Sequence, residues 1–461
     1  MRRLLAIVLL VVTGLAQAQG ITLPEPQVVE LENGAVFIVH EKRDVPLVGL
    51  SAVIRGGAVT DPANKAGLAS LFASMLEKGA GERDAAAFAE TVDAAGATLA
   101  AYASLESITI SGEFLARDVD LAIELLTDML RAPALDPDEF TKLRDREIDL
   151  IRAAKDTDLP GLLPLYGAAW LFGEHPYGTA VGGDETSLAN IRHRDLSGFY
   201  EGFVGADRLV VSIVGDVDAE SVINALTEAF RDWRPAAEPL PEMAPAEPAT
   251  GRRVLLVDKP GATQTYFWIG NVGVARNYEQ RAELDIANTL FGGRFTSLLV
   301  DELRTKAGLT YSARSALTRP SQPGSFAIVS FTKTDTTIVA IDLAIELLQR
   351  MRREGFSEEL VASGKNYILG QFAPRLETAT QLAGQFASLQ AAGLEASYIN
   401  DYGDAIAGAA GEDIQAVIKS AYPKAVDLVI AIIGDAELIR NDIAKYGPVT
   451  EMSITEPLFR P

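Results

Sequence analysis

The stretch Leu290–Leu317 reads LFGGRFTSLLVDELRTKAGLTYSARSAL, and its punctuation decides how the chain around it folds. Gly292-Gly293 breaks one helix. A second helix is predicted from about Thr296 to Lys306, with Thr296 or Ser297 as its N-cap and Leu298, Leu299 and Leu303 turned inward. Gly308 ends it, because glycine takes the positive φ past a helix C-terminus without strain. A strand is expected from about Thr310. Arg304 and Tyr311 flank the break, seven residues apart. A guanidinium leaving a helix and a phenol entering a strand can then point into one space.

Outward from this stretch, the chain repeats itself. Leu121–Leu126 (LAIELL) returns unchanged as Leu343–Leu348, 222 residues later. Leu209–Asp216 (LVVSIVGD) returns as Leu428–Asp435 (LVIAIIGD), 219 residues later. Two matches in one order at nearly one offset indicate a duplicated domain rather than a short-period solenoid. Residues 234–251, rich in Pro, Ala and Glu, read as an extended linker between the copies. The N-terminal copy, 22–233, alternates strand and helix signals. Strands are predicted on both sides of Asn33-Gly34, at Leu47–Ile54, within Ala97–Glu113 and at Leu209–Val214. Helices are predicted at Lys65–Lys78, Ala85–Ala94, Val119–Arg131, from Pro137 to about Lys155, and from Asp195. The C-terminal copy, 252–450, repeats the order. Such runs predict an α+β fold: two homologous domains, each a mainly antiparallel sheet covered on one face by helices, arranged as a bilobed clamshell around a cleft.

Composition narrows the function. Residues 1–18 read as a cleaved signal peptide: Arg2 and Arg3 form the basic start, Leu4–Val12 the apolar centre, and Ala16-Gln17-Ala18 the cleavage site. With no cysteine in the chain there is no disulfide, thiolate site or lipidated cysteine. A periplasmic protein with no stable membrane anchor after cleavage is expected. The formal charge is −22, or −24 once Arg2 and Arg3 leave (−22 minus 2). A chain so acidic repels polyanions, which excludes nucleic-acid binding.

The opening stretch resembles the C-terminal-half signature of the pitrilysin/insulinase family, the H-x-x-E-H zinc peptidases. Leu290, Gly292, Gly293, Ser297, Leu299, Leu303, Arg304, Gly308, Leu309 and Tyr311 all fit its pattern. The resemblance extends over most of the chain and breaks at the zinc motif. In the family, two histidines one helical turn apart hold zinc and the glutamate between them activates its water. Here the frame is intact, with Gly67-Leu68-Ala69 before and Met75–Gly79 after, but the motif reads Ser70-Leu71-Phe72-Ala73-Ser74. Both ligand positions are serine, a poor zinc ligand, and the base position is alanine. The family's third ligand, a glutamate in the long later helix, falls near Asp149–Arg152, where no glutamate stands; Glu147 and Asp149 are close by. The histidines, His40, His175 and His193, form no pair at helical spacing and read as structural or solvated.

The resemblance implies a divided active site. In the family the arginine and tyrosine that correspond to Arg304 and Tyr311 reach across a closed shell to the scissile peptide. Some bacterial members split the two halves of the chemistry between two chains. This chain is expected to be the zinc-free subunit of a periplasmic heteromeric metallopeptidase, with Arg304 and Tyr311 as catalytic residues. It holds no metal itself. Zinc belongs to a homologous H-x-x-E-H partner, and the substrates are peptides or small unfolded polypeptides. The alternative is an inert scaffold or peptide-binding protein of the same fold.

Overall fold

The computed structural model describes residues 22–461; the predicted signal peptide lies outside the described residues. The two copies of the repeat form two six-stranded sheets. The N-terminal sheet uses β1 (Gln27–Glu30), β2 (Val36–Glu41), β3 (Leu47–Arg55), β4 (Thr98–Ala103), β5 (Ser107–Leu115) and β6 (Leu209–Gly215) in the order β1-β2-β6-β3-β5-β4. The C-terminal sheet uses β7 (Arg253–Asp258), β8 (Gln264–Val272), β9 (Ala313–Leu317), β10 (Ser325–Lys333), β11 (Val429–Gly434) and β12 (Val449–Ser453) in the order β9-β10-β8-β11-β7-β12. Read from opposite ends, the orders are the same. β2 lies parallel to β6 as β7 lies parallel to β11, and the next three pairings in each sheet are antiparallel. Only the outermost strand differs: β1 is the antiparallel hairpin partner of β2, whereas β12 runs parallel to β7. The repeated octamers are the central strands β6 and β11, and the repeated hexamers lie in the helices Val119–Arg131 and Thr337–Glu354. The expected α+β class and two-domain plan therefore hold.

Every residue of β6 and of β11 is buried, side chains on both faces included. One face of each sheet is covered by its own domain's helices. The other face is covered by a helix from the opposite copy, which the sequence reading did not foresee. Leu159–Phe172 leaves the N-terminal copy and buries Leu162, Leu163 and Tyr166 against Trp268, Ala431 and Ile433 of the C-terminal sheet. Ala379–Ala391 makes the reciprocal move, packing Leu382 and Phe386 on Ile38, Val53 and Val210. The crossing is close: a Cβ on Gly49 of β3 would lie 2.4 Å from the Thr380 backbone. Each exchanged helix buries several large apolar side chains, each adding roughly 1.5–3 kcal/mol relative to exposure. The two lobes are thus interlocked, and residues 234–251 run between them without regular structure.

Candidate functional site

The zinc-motif positions sit on the first helix of the N-terminal lobe, α1 (Leu68–Met75). It is shorter than the predicted Lys65–Lys78, because its capping geometry starts at Gly67 with φ +94° and its regular turns end at Leu76. Its apolar stripe, Leu68, Leu71, Phe72 and Met75, is buried as the periodicity requires. A residue unremarked in the sequence fixes its start. Asp61 accepts from the Gly67 N–H and the Ala69 N–H, both at 2.8 Å, so it acts as a cap reaching over from the preceding loop. Burial pushes the Asp61 carboxyl up to about 7 against the pull of those N–H bonds. An Asx-type residue a few positions ahead of a glycine-led helix was the available signal.

Along α1, Ser70 and Ser74 are half-buried and Ala73 is buried. The long helix expected to bring a third ligand, Pro137–Thr157, does pack against α1. Its acids near the family position are engaged elsewhere: Glu147 pairs with Arg146 at 3.1 Å and Asp149 with Arg152 at 3.2 Å. Two hydroxyls and a methyl do not make a zinc donor set, and among the described residues no group of three or more His, Asp or Glu could hold a metal ion. A zinc ion does not fit here. The histidines are structural: His175 Nδ1 accepts from the Tyr177 N–H and its Nε2–H donates to the Ala244 carbonyl, while His193 Nε2–H donates to the Leu135 carbonyl. His40 packs edge-on against Phe386.

The second half of the predicted site lies in the C-terminal lobe. The helix after Gly292-Gly293 is wound in wide turns, with the Ala307 N–H reaching back five residues to the Glu302 carbonyl. Such π-type turns displace the side chains that follow and are frequent at functional sites. Ser297 takes the cap position, its carbonyl accepting the Asp301 N–H, but its buried hydroxyl has no partner. Gly308 ends the helix with φ +63°, as expected. The strand does not begin at Thr310. The Thr310 hydroxyl accepts from the Ser312 N–H and donates to the Ser312 carbonyl, closing a turn that holds Tyr311 out of the sheet; β9 starts at Ala313.

That turn brings the two residues together. The Arg304 guanidinium carbon lies 4.7 Å from the centre of the Tyr311 ring. It also lies 4.9 Å from the centre of the Phe295 ring, so the cation sits between two aromatic faces. Phe295 and Tyr311 are 73% and 76% exposed. The acids on the same helix are occupied: Glu302 bonds Arg350 at 2.7 Å, which holds its carboxyl below the usual range, and Asp301 pairs with Lys306 at 2.8 Å. Among the described residues the Arg304 guanidinium has no carboxylate or carbonyl partner. A cation fixed by its faces keeps its in-plane N–H donors free, and a phenol beside it adds one more. Together they can bind a carbonyl oxygen and a charge developing on it. The sequence reading missed Phe295; a bulky aromatic two residues after a glycine pair and outside any apolar stripe was its signal. The glycine pair itself answers to packing: a Cβ on Gly292 would lie 2.3 Å from the Ser315 backbone nitrogen.

Residues 36–166 match the family described as insulinase (peptidase family M16), and residues 190–368 match the peptidase M16 inactive domain. The chain belongs to peptidase family M16. Among curated relatives, an uncharacterized zinc protease of Mycobacterium tuberculosis is 27% identical over 326 residues, 70% of this chain and 73% of that protein. A protein of Helicobacter pylori named a non-peptidase homolog is 25% identical over 356 residues, 76% of this chain and 80% of that one. Among solved structures, a peptidase M16 inactive domain from Pseudomonas fluorescens has TM-score 0.82 at 22% identity, covering 89% of this chain and 98% of that one. The periplasmic protease PqqL of Escherichia coli has TM-score 0.75 at 15% identity, covering 90% of this chain but 46% of that one. These likenesses establish the fold. With serine and alanine at its zinc positions, this chain is an inactive peptidase-like member of the family.

Proposed function

We propose that this chain is the zinc-free subunit of a two-chain M16 peptidase of the periplasm, and that it presents Arg304 and Tyr311 to the active site of a homologous partner bearing H-x-x-E-H and zinc. The observation that carries the proposal is the Arg304–Tyr311 contact: a guanidinium without an acid partner and an exposed phenol, side by side, on a chain whose zinc positions are Ser70, Ala73 and Ser74. A half-buried cation beside two exposed rings, with no acid to pair it, has no evident use in stabilising this lobe. It suits a surface that meets a substrate peptide when a second chain closes over it. The length relation to PqqL supports the same reading. This fold accounts for 46% of that protease, so a second chain of similar size would supply the remainder. α1 packs on β4, β5 and the helices Pro137–Thr157 and His193–Phe203 of its own lobe, none of which carries the pair. On this reading the zinc-bearing helix that meets the pair is the partner's.

In the assembled enzyme, Arg304 and Tyr311 would donate to the scissile carbonyl and stabilise the negative charge developing on its oxygen; the partner's H-x-x-E-H residues would hold the zinc, which would supply an activated water. The substrates are peptides or small unfolded polypeptides. The test starts with a C-terminally tagged chain recovered from the periplasm of its own organism. A stoichiometric partner of similar size with H-x-x-E-H is expected, and peptidase activity of the recovered pair should require both chains. Recovery of the chain alone would favour the inert reading that the relative's non-peptidase name suggests.

A further inference from the structure

The cleft between the lobes is a groove of about 950 Å³, and no part of the proposed chemistry uses it. That volume lies at the upper end of the range for sites that take a small molecule or a short peptide. All three parts of the chain line it. Arg55 comes from β3, Arg276 and Arg319 from the C-terminal lobe, and Leu240 and Met243 from the linker. The linker is thus one wall of a site rather than a free spacer. The groove is held in shape by Glu106, which joins the lobes: it accepts from the Tyr177 hydroxyl at 2.6 Å, from the Ser321 N–H at 2.9 Å, and from Arg276 at 3.1 Å.

Its charge runs against that of the molecule. The chain as a whole carries −22, yet three guanidiniums line the groove against the single carboxylate of Glu106. Arg276 is paired with Glu106 and Arg319 with Asp285 behind the wall, at 2.9 Å. Arg319 Nη1 is buried without an acceptor, and Arg55 is bonded to a backbone carbonyl of Asp207 rather than to an acid. Arg319 nevertheless keeps 24% of its side chain exposed and Arg55 is exposed, so both present accessible charge to an oxygen in the groove. The rest of the lining is largely apolar, with Leu389, Leu394 and Ile399 from the exchanged helix and its C-terminal extension.

We infer that the inter-lobe groove binds an apolar chain ending in a carboxylate, with the carboxylate on Arg55 and Arg319 and the apolar body against Leu240, Met243 and Leu394. Two sources offer that chemistry: the free C-terminus of a short apolar peptide, and a fatty acid.

Calorimetric titration of the full chain alone distinguishes them. The probes are acetyl-Ala-Leu-Phe with a free carboxylate, the same peptide as its C-terminal amide, and decanoate. The free acid of the peptide, or decanoate if the source is lipid, should bind. The amide should bind about tenfold more weakly or worse, as expected for a lost charge-assisted bond. Arg55→Gln and Arg319→Gln should each weaken the acid about tenfold. Arg319 is tied to Asp285, so Leu240→Asp serves as the second variant: it puts a carboxylate on the exposed linker wall without touching that pair, and should weaken the acid as well. The inference is overturned if acid and amide bind alike, if Arg55→Gln and Leu240→Asp leave the acid's affinity unchanged, or if neither acid binds by about 1 mM. No partner chain is needed, so failure here leaves the subunit proposal standing, and failure of that proposal leaves this titration interpretable.

Discussion

The region around α1 in the N-terminal lobe and the region from Arg281 to Leu317 in the C-terminal lobe are the same piece of architecture put to different ends. In each, a helix lies against the outer edge strand of its sheet. In the first, Glu77 just past α1 accepts the outward N–H of Ala101 in β4 at 2.6 Å. In the second, Gly292 brings its backbone against Ser315 of β9. The framework residues are intact on both sides. Only on the C-terminal side do an arginine and a tyrosine stand in contact at an exposed turn. The contrast teaches that packing and chemistry fail independently. Leu71, Phe72 and Met75 hold α1 in the core together with the small, buried Ala73, while Ser70 and Ser74 lie half-buried beside that stripe, so the helix packs without the histidines and glutamate of the motif.

The largest effect separates the two regions by activity. In the assembled two-chain enzyme, Arg304→Ala and Tyr311→Phe should each lower kcat/KM by about 10²–10³-fold, the usual consequence of removing an oxyanion donor. Ser70→Ala and Ser74→Ala should leave it unchanged. Peptide-cleavage kinetics with purified partner decide the matter. Loss of activity from the serine changes, with wild-type rates from the Arg304 and Tyr311 changes, would invert the assignment of roles.

The next tests the scaffold around α1. Asp61 has a folded-state pKa of about 7 against an ordinary 3.8. A carboxyl whose pKa is raised on folding contributes stability fully below its unfolded pKa, and that contribution is lost as pH rises towards the folded value. Between about pH 4 and pH 7 the wild type should therefore lose stability relative to Asp61→Asn, by up to about 1.4 kcal/mol per pH unit. Urea titrations of both proteins across that window measure the difference. Parallel curves would show that Asp61 is ionised throughout, its N–H bonds outweighing its burial.

The C-terminal counterpart is steric. Gly292→Ala places a methyl 2.3 Å from the Ser315 nitrogen, where the backbone must move. A cost of about 1–3 kcal/mol is expected, measured as a lower urea midpoint. Activity of the assembled enzyme should fall as well, since the turn carries Phe295 and leads into the helix of Arg304.

How much of this was legible depended on whether one periodicity governed a segment. Ala85–Ala94 and Val119–Arg131 were read to the residue because each has one apolar stripe and one wet face. Leu159–Phe172 was not read as a helix. It contains Pro160, Pro164, Gly161 and Gly167, and it is apolar nearly all round because its surface is buried in the opposite lobe. A helix buried that way has no amphipathic signature, and with it the reciprocal exchange of helices was invisible. In the candidate site, the seven-residue spacing of Arg304 and Tyr311 allowed them to meet, and they do meet. The route differs from the one expected. A hydroxyl-closed turn at Thr310, not a strand, aims the phenol, because a local side-chain bond competed with the ladder. Phe295 escaped notice because its role is set by a residue nine positions on, across a helix end.

Phe295 sharpens the comparison with the smallest expected effect. If it holds Arg304 from one side while Tyr311 holds it from the other, Phe295→Ala leaves the cation with one face and more rotamers to sample. A cation–π contact at an exposed site contributes about 0.5–1 kcal/mol. Activity of the two-chain enzyme should therefore fall only about two- to fivefold. Two further readings separate positioning from general damage. Phe295→Tyr, which keeps the aromatic face, should restore the rate. Phe295→Leu keeps bulk without a π face and should not. An Arg304→Ala, Phe295→Ala double variant should be no slower than Arg304→Ala alone, since a clamp has nothing to hold once the guanidinium is gone. Additive losses would instead mean that Phe295 touches the substrate in its own right. The exposed ring would then be a binding surface, and the C-terminal region would present three functional side chains where the α1 region presents none.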